Sequence, residues 1–224
     1  MLRPRVLILL LGCALLAGAC GDDSGSGEAA ATATPAEDAA PVCKPADAPK
    51  PKGEGKLAKP KQALDSAKTY VATVTTNCGE FQITLDAKRA PKTGGSFKYL
   101  ADKGFYNSTT FHRIVAGFVI QGGDPSGDGN GGPGFKIVEA PPQDLTYSKG
   151  TVAMAKAETD PAGTSESQFF VVTGEDAGLP PDYALLGKVT KGQDVVDKIG
   201  VAEVGPDEKP LQPIVIRQIR ITES

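Results

Sequence analysis

Short runs of alternating apolar and polar residues, each ended by turn-forming residues, are the clearest structural pattern in this chain. The first run is Tyr70–Thr76, and turn residues 77–80 separate it from a second run, Phe81–Asp86. Alternation with a period of two is typical of a strand with one buried face, and two such runs around a short turn predict a β-hairpin. The chain from residue 70 onward is therefore expected to consist mainly of short strands.

Further strand-like runs follow, and two segments carry helix signals instead. An apolar face between Pro91 and Gly104 predicts a short helix over residues 92–103, and a second helix is expected over Gln193–Ile199. About eight strands with two helices favour a mainly β fold, a closed barrel capped at its ends, because closure leaves no exposed strand edge. The strands expected after the hairpin are Thr110–Val115, Phe118–Gln121, Thr151–Ala155, Gln168–Thr173, Ala184–Val189 and Ile214–Thr222.

Residues 1–19 are predicted to be a signal peptide. Basic residues open the chain and an uncharged run, Val6–Ala19, follows them. This run is shorter than the roughly 20 apolar residues that a transmembrane helix needs. The small and apolar residues that lead up to Cys20 resemble the lipobox of bacterial lipoproteins, which predicts lipidation at Cys20. Cys13 is the alternative lipidation site, and plain secretion is a third interpretation.

Residues 20–69 are predicted to be a disordered tether rich in alanine, proline and lysine. The segment contains no aromatic residue, so it cannot bury enough apolar surface to offset the entropy lost on ordering. The tether would hold the domain at residues 70–224 away from the membrane. The expected location is the cell envelope, with the protein lipid-anchored to the outer face of the cytoplasmic membrane. Cys43 and Cys78 belong to the exported part, where oxidation is permitted, and are predicted to pair.

The single histidine, His112, restricts the chemistry that the chain can perform. A Ser-His-Asp hydrolase would need it beside a nucleophile, and residues 163–167 lack the Gly-x-Ser-x-Gly elbow. The usual zinc site lacks ligands, and the glycine-rich run Gly122–Gly134 matches neither a phosphate loop nor a complete calcium loop. No metal or cofactor is therefore expected, and His112 is predicted to be a hydrogen-bonded barrel residue. The net charge of -3, without a basic face that carries aromatic residues, disfavours nucleic acid as a partner.

The most specific motif is Phe-His-Arg-Ile-Val-Ala-Gly-Phe-Val-Ile-Gln-Gly-Gly-Asp at residues 111–124. It resembles the signature of the cyclophilin family at every fixed position. The resemblance implies an eight-stranded antiparallel β-barrel capped by two α-helices, and peptidyl-prolyl cis/trans isomerisation without a cofactor. Further matches follow in family order at Gly131–Gly134, Gly150–Ala155, Ser167–Phe170 and Leu185–Val189.

The resemblance also implies the residues of the site. Arg113, Phe118 and Gln121 are expected to be catalytic, with Arg113 donating hydrogen bonds to the twisted peptide. Lys156 stands where the family usually has Asn, and Tyr183 where a His often closes the proline pocket. The implied substrate-binding residues are Met154, Ala155, Lys156, Gln168, Phe170, Leu179 and Tyr183. Because neighbours on a strand face opposite sides, only alternate positions are expected to line the pocket, and the expected core residues are Phe111, Ile114, Val119 and Phe169.

The implied function is isomerisation of X-Pro bonds in exported proteins, which assists their folding. The alternative is a non-catalytic module or chaperone that binds proline-containing segments in the same groove. The expected partners are such polypeptide segments and, through the lipid anchor, the membrane. The domain is expected to be monomeric.

Overall fold

Eight antiparallel strands close into a barrel in the computed structural model, which describes residues 43–224. The ring consists of β1 (Tyr70–Thr76), β2 (Glu80–Leu85), β3 (Thr109–Val115), β4 (Val119–Asp124), β6 (Thr151–Met154), β8 (Phe169–Val172), β9 (Leu185–Lys191) and β10 (Val215–Glu223). Their order around the ring is β1-β10-β3-β4-β8-β6-β9-β2. Outside the ring, β5 (Ile137–Val138) pairs with β7 (Thr164–Ser165).

Two helices complete the fold. Helix α1 (Pro91–Asp102) packs against β9 and β10, and α2 (Gln193–Gly200) packs against β2 and β4. The predicted barrel, hairpin and helices are confirmed, whereas the two-residue strands β5 and β7 are too short to leave an alternating pattern. The predicted signal peptide, Cys20 and Cys13 lie outside the described residues. Within residues 43–224, no helix combines the length and the apolar character needed to cross a bilayer.

Aromatic rings fill the barrel interior and attach α1 to it. The ring of Phe169 meets those of Phe97, Tyr106 and Phe111 edge to face, at centroid distances of 5.6, 5.9 and 5.9 Å. All four side chains are buried. Edge-to-face pairs contribute about 0.5–1.5 kcal/mol each beyond the burial of their surface. Because Phe97 belongs to α1, this cluster fixes the helix across the barrel.

Residues 43–69, which we call the N-terminal strap, lie against the barrel although they belong to the predicted tether. The amide of Gly55 donates to the carbonyl of Gly132 (2.8 Å), and the amide of Leu57 donates to that of Pro133 (3.0 Å). The amide of Lys52 donates a hydrogen bond to the same glycine-rich loop, residues 122–134. The prediction of a disordered tether over 20–69 is therefore wrong for residues 43–69. It relied on the lack of aromatic side chains, whereas main-chain hydrogen bonds attach much of the strap.

The strap is also fixed near both ends. A disulfide joins Cys43 to Cys78 in the turn between β1 and β2, and closes a loop over a separation of 35 residues. Native disulfides of this kind typically contribute about 2–4 kcal/mol to stability. At the other end, Leu64 packs against α1, where a Cβ on Gly94 would collide with the Leu64 side chain and one on Gly95 with the strap backbone. The glycine pair, unfavourable in a helix, is explained by this close approach.

A β-bulge at His112 reverses the alternation of side chains along β3. Phe111 pairs with Gly122 and Arg113 pairs with Gln121, so His112 is an extra residue on its strand. Bulges re-aim the side chains that follow them. Phe111 consequently lies in the core and Arg113 lines an external cavity, although strict alternation would place both on one face.

The side chain of His112 is buried, and neither ring nitrogen has a hydrogen-bond partner among the described residues. The prediction that His112 is hydrogen-bonded is therefore wrong. The ring lies beneath the glycine-rich loop, where its Nε2 is 3.8 Å from the position that a Cβ on Gly129 would occupy. Burial lowers the pKa of His112, and the nearby carboxylate of Asp124 opposes this shift only in part.

Stability should therefore fall as the solution becomes acidic. Because the pKa of His112 is lower in the folded than in the unfolded chain, the unfolded state binds the proton first. The contribution of neutral His112 to stability is complete above the unfolded pKa of about 6.5. It is lost as the pH falls toward the folded pKa. Between about pH 7.5 and about pH 5.5 we expect the melting temperature of the wild type to fall more than that of His112→Gln. The same pH dependence in both proteins would contradict this account.

Candidate active site

Three neighbouring strands place a row of side chains on the outer face of the barrel. Arg113 on β3 pairs with Gln121 on β4, and Gln121 pairs with Phe170 on β8. The Nη1 group of Arg113 lies 3.4 Å from Oε1 of Gln121, and Nε2 of Gln121 donates to Oε1 of Gln168 at 3.0 Å. The register of the sheet thus forms a continuous polar row from a guanidinium to two amides.

The glycine-rich loop anchors one end of this row. Nε2 of Gln168 donates to the carbonyls of Gly129 (2.8 Å) and Gly131 (3.1 Å). The buried carboxylate of Asp124 accepts hydrogen bonds from three amides of the loop, those of Ser126, Asp128 and Gly129. Its carboxylate oxygens therefore bind the chain's own amides. Within residues 43–224, no group of three or more His, Cys, Asp or Glu residues is arranged to hold a metal ion.

An open cavity of about 230 Å³ adjoins the row. Arg113 and Gln121 border it, and Lys156 forms another part of its edge. This volume is smaller than the roughly 300–1,000 Å³ of a drug-sized site and is suited to one small side chain. The remaining lining is apolar or aromatic: Phe118, Val119, Ala155, Phe170, Leu179 and Tyr183.

Met154 lies on the side opposite to the one expected, and Val119 has a second role. Met154, a predicted substrate contact, is 1% exposed and packs in the barrel interior, because β6 turns it away from its neighbour Ala155 at the cavity. Val119 is buried in a second apolar cluster, as predicted for a core residue, and it also lines the cavity. Alternation counted back from Gln121 on β4 would have placed Val119 at the site. The predicted core positions of Phe111, Ile114 and Phe169 are confirmed.

Lys156 is folded back into the protein. Its side chain is 4% exposed, and its Nζ lies 2.8 Å from Oδ2 of Asp182. The same nitrogen bonds the carbonyl of Asp160 and lies 5.6 Å from the centre of the Tyr183 ring. The carboxylate of Asp182 therefore balances the charge of the Lys156 ammonium beside the cavity. The aliphatic part of the Lys156 side chain supports the aromatic wall.

Tyr147, which no sequence pattern singled out, fixes Tyr183 in place. Its hydroxyl donates to the carbonyl of Tyr183 at 2.6 Å and accepts from the amide of Tyr183 at 3.0 Å. Burial raises the pKa of Tyr147 to about 12, so the phenol remains protonated and can donate. The Tyr183 ring then meets Phe170 edge to face at 5.4 Å. This arrangement gives the cavity a rigid aromatic corner.

A second, more polar cavity of about 370 Å³ continues from the first. The two share Gln121, Ala155 and Lys156, and Gln168 lines only the second of the two. Glu54 of the N-terminal strap contributes to its wall. Glu54 could not be expected at the site because it falls within the predicted tether.

Comparisons with known proteins point to one family. Residues 71–221 match the family model described as cyclophilin type peptidyl-prolyl cis-trans isomerase. The chain is 36% identical over 168 residues to a probable peptidyl-prolyl cis-trans isomerase A of Mycobacterium leprae. The aligned region covers 67% of this chain and 91% of that protein. It is 40% identical over 141 residues to a peptidyl-prolyl cis-trans isomerase of Helicobacter pylori, covering 62% and 85% of the two chains.

Solved structures show the same likeness. A crystal structure of a cyclophilin type peptidyl-prolyl cis-trans isomerase from Cryptosporidium parvum matches with a TM-score of 0.65 at 30% identity, and covers 69% of this chain and 98% of that one. A second structure of that protein, determined in the presence of the dipeptide Ala-Pro, gives a TM-score of 0.64. The matched family region contains most of the barrel and both helices, and the N-terminal strap lies outside it. The chain therefore belongs to the family of cyclophilin-type peptidyl-prolyl cis-trans isomerases.

Proposed function

We propose that this isomerase acts on X-Pro bonds of exported proteins, and that the reaction takes place where the apolar cavity meets Arg113 and Gln121. One observation carries the proposal for the site: a guanidinium held beside a cavity that suits a proline ring. The alternative, a module that only binds proline-containing segments, needs the apolar cavity. It does not need a fixed cation at the cavity's edge.

The reaction requires little from the protein. Rotation about the peptide bond must break the resonance between the carbonyl and the nitrogen, a barrier of about 18–20 kcal/mol, and no covalent bond forms or breaks. In the twisted state the prolyl nitrogen regains a lone pair, which can accept a hydrogen bond. A donor that is fixed in place favours this state over the planar ones, and only such differential binding accelerates the reaction.

Arg113 is the donor in this mechanism. The guanidinium stays charged and presents its N–H groups in a rigid plane, and its contact with Gln121 orients it. Phe118, Phe170 and Leu179 hold the proline ring, so that rotation moves the preceding residue instead. The backbone carbonyl of Phe118 accepts from the amide of Thr173 at 2.9 Å, which fixes this turn to the end of β8.

Arg113→Ala should lower kcat far more than it raises KM, because the donor acts mainly on the twisted state. Loss of one fixed donor typically costs a hundred- to a thousandfold in rate. The side chain is 37% exposed, so the melting temperature should change little. Isomerisation of an X-Pro peptide by the wild type and the variant tests this, with Arg217→Ala on the exposed surface of β10 as the control.

Near-wild-type turnover of Arg113→Ala would exclude Arg113 as the donor. A large fall in its melting temperature would instead assign the lost activity to misfolding. The Arg217→Ala control should match the wild type in both measurements.

Export and membrane anchoring are supported by two features. The apolar run Val6–Ala19 leads up to Cys20 as in bacterial lipoproteins. The Cys43–Cys78 disulfide suits an oxidising compartment outside the cytoplasm. An enzyme attached there by a lipid on Cys20 would meet segments of exported proteins that still contain non-native prolyl isomers, whose uncatalysed exchange takes tens to hundreds of seconds.

Cys20→Ala should abolish lipidation and move the protein from the detergent to the aqueous phase in phase partition, since the acyl chains supply the apolar anchor. Cys13→Ala is the matched control and should leave the protein in the detergent phase. The reverse pattern would assign the lipid to Cys13. Aqueous partition of the wild type itself would favour plain secretion.

A further inference from the structure

A carboxylate holds the guanidinium of Arg113 on the side opposite Gln121. Oε2 of Glu208 accepts a hydrogen bond from Nε of Arg113 at 2.6 Å, while Nη1 lies against Gln121. Among the described residues, Nη2 has no hydrogen-bond partner. We propose that Glu208 is a positioning residue of the isomerase: it fixes the plane of the Arg113 guanidinium and leaves Nη2 for the substrate. This proposal rests on the catalytic role proposed above for Arg113.

The backbone of Glu208 is fixed to the strand that carries Arg113. Its carbonyl accepts a hydrogen bond from the amide of Ile114, the next residue after Arg113, at 2.8 Å. The surrounding segment is closed by a bridge between Val204 and Pro210. The carboxylate is therefore delivered by a closed turn that is registered to β3, and not by a freely moving loop.

Glu208 adopts a conformation that residues other than glycine rarely take. Its φ of 62° lies in the left-handed region, where a Cβ is crowded against the backbone. Such strain persists only when the surroundings determine the conformation, and strained residues are concentrated at functional sites. A glycine would fit this backbone without strain but would supply no carboxylate. The strained residue is thus the one that contacts Arg113.

Stability alone does not explain this ion pair. The two side chains are 37% and 45% exposed, and ion pairs as exposed as this contribute little to the free energy of unfolding. Orientation is a stronger requirement, because an arginine side chain has many rotamers and a displacement of about 1 Å at a reacting group can cost a hundredfold in rate. An acceptor on Nε selects one guanidinium plane while Arg113 keeps its charge.

Two substitutions separate positioning from folding. Glu208→Asn suits the left-handed backbone but is too short and uncharged to hold Nε, whereas Glu208→Gln keeps an acceptor oxygen at the right length. We expect kcat to fall roughly tenfold in Glu208→Asn and less in Glu208→Gln, with KM changed less than about twofold in both. Glu203→Gln is the control, because Glu203 is exposed on the same segment and should behave as the wild type.

Two further readouts follow from the contact itself. In the Arg113→Ala background, Glu208→Asn should cause no additional loss of activity, because the pair acts through one side chain. In the NMR spectrum, the Nε–H signal of Arg113 should be protected from solvent exchange in the wild type and lose that protection in Glu208→Asn. A merely structural role of Glu208 would lower the melting temperature without producing this pattern.

The outcomes distinguish the two proposals. If Arg113→Ala turns over like the wild type, the proposed role of Arg113 fails and that of Glu208 fails with it. If Arg113→Ala is impaired but Glu208→Asn is as active as Glu203→Gln, only the positioning role is overturned. A tenfold loss with an unchanged melting temperature, intermediate activity of Glu208→Gln and no further loss in the double variant would support it.

Discussion

Eight strands close into a ring, and this closure determines where the side chains of the core and of the site can lie. A closed ring leaves no unpaired strand edge and gives each strand an inner and an outer face. The inner face is filled by aromatic residues around Phe169, which fixes the register of the strands. The pairing of the strands places Arg113, Gln121 and Phe170 side by side on the outer face. The bulge at His112 completes the arrangement, since it turns Arg113 outward while Phe111 stays inside.

The site combines a rigid apolar cavity with one oriented cation. Tyr147 and Lys156 hold Tyr183 against Phe170. Lys156 departs from the usual residue of the family, yet its ammonium forms an ion pair with Asp182 and adds no unbalanced charge to the cavity. The polar row and the aromatic corner therefore support each other. In the proposed mechanism, the polar row orients the peptide bond and the aromatic corner immobilises the proline ring beside it.

Much of the barrel could be predicted from the sequence, because alternation and turn residues act locally. The resemblance to the family as a whole also predicts most of the residues that line the cavity. What could not be predicted depends on contacts between distant segments: the strap at residues 43–69 is attached by main-chain groups, which no side-chain pattern reveals. The family position of Met154 predicts a substrate contact, although alternation with Ala155 points its side chain inward. Glu208 was missed because it carries no motif and reaches Arg113 across 95 residues of chain.

In the proposed mechanism, the planar fork of Arg113 acts on the twisted peptide more than on the bound planar forms. NMR exchange spectroscopy of a proline peptide with the wild type and with Arg113→Lys tests it most directly, because it measures binding of both isomers and their interconversion on the enzyme. Lysine keeps the charge but not the fork. For Arg113→Lys we expect affinities within about threefold of the wild type and an exchange rate on the enzyme at least roughly tenfold lower. An unchanged exchange rate, or a loss explained entirely by weaker binding, would contradict it.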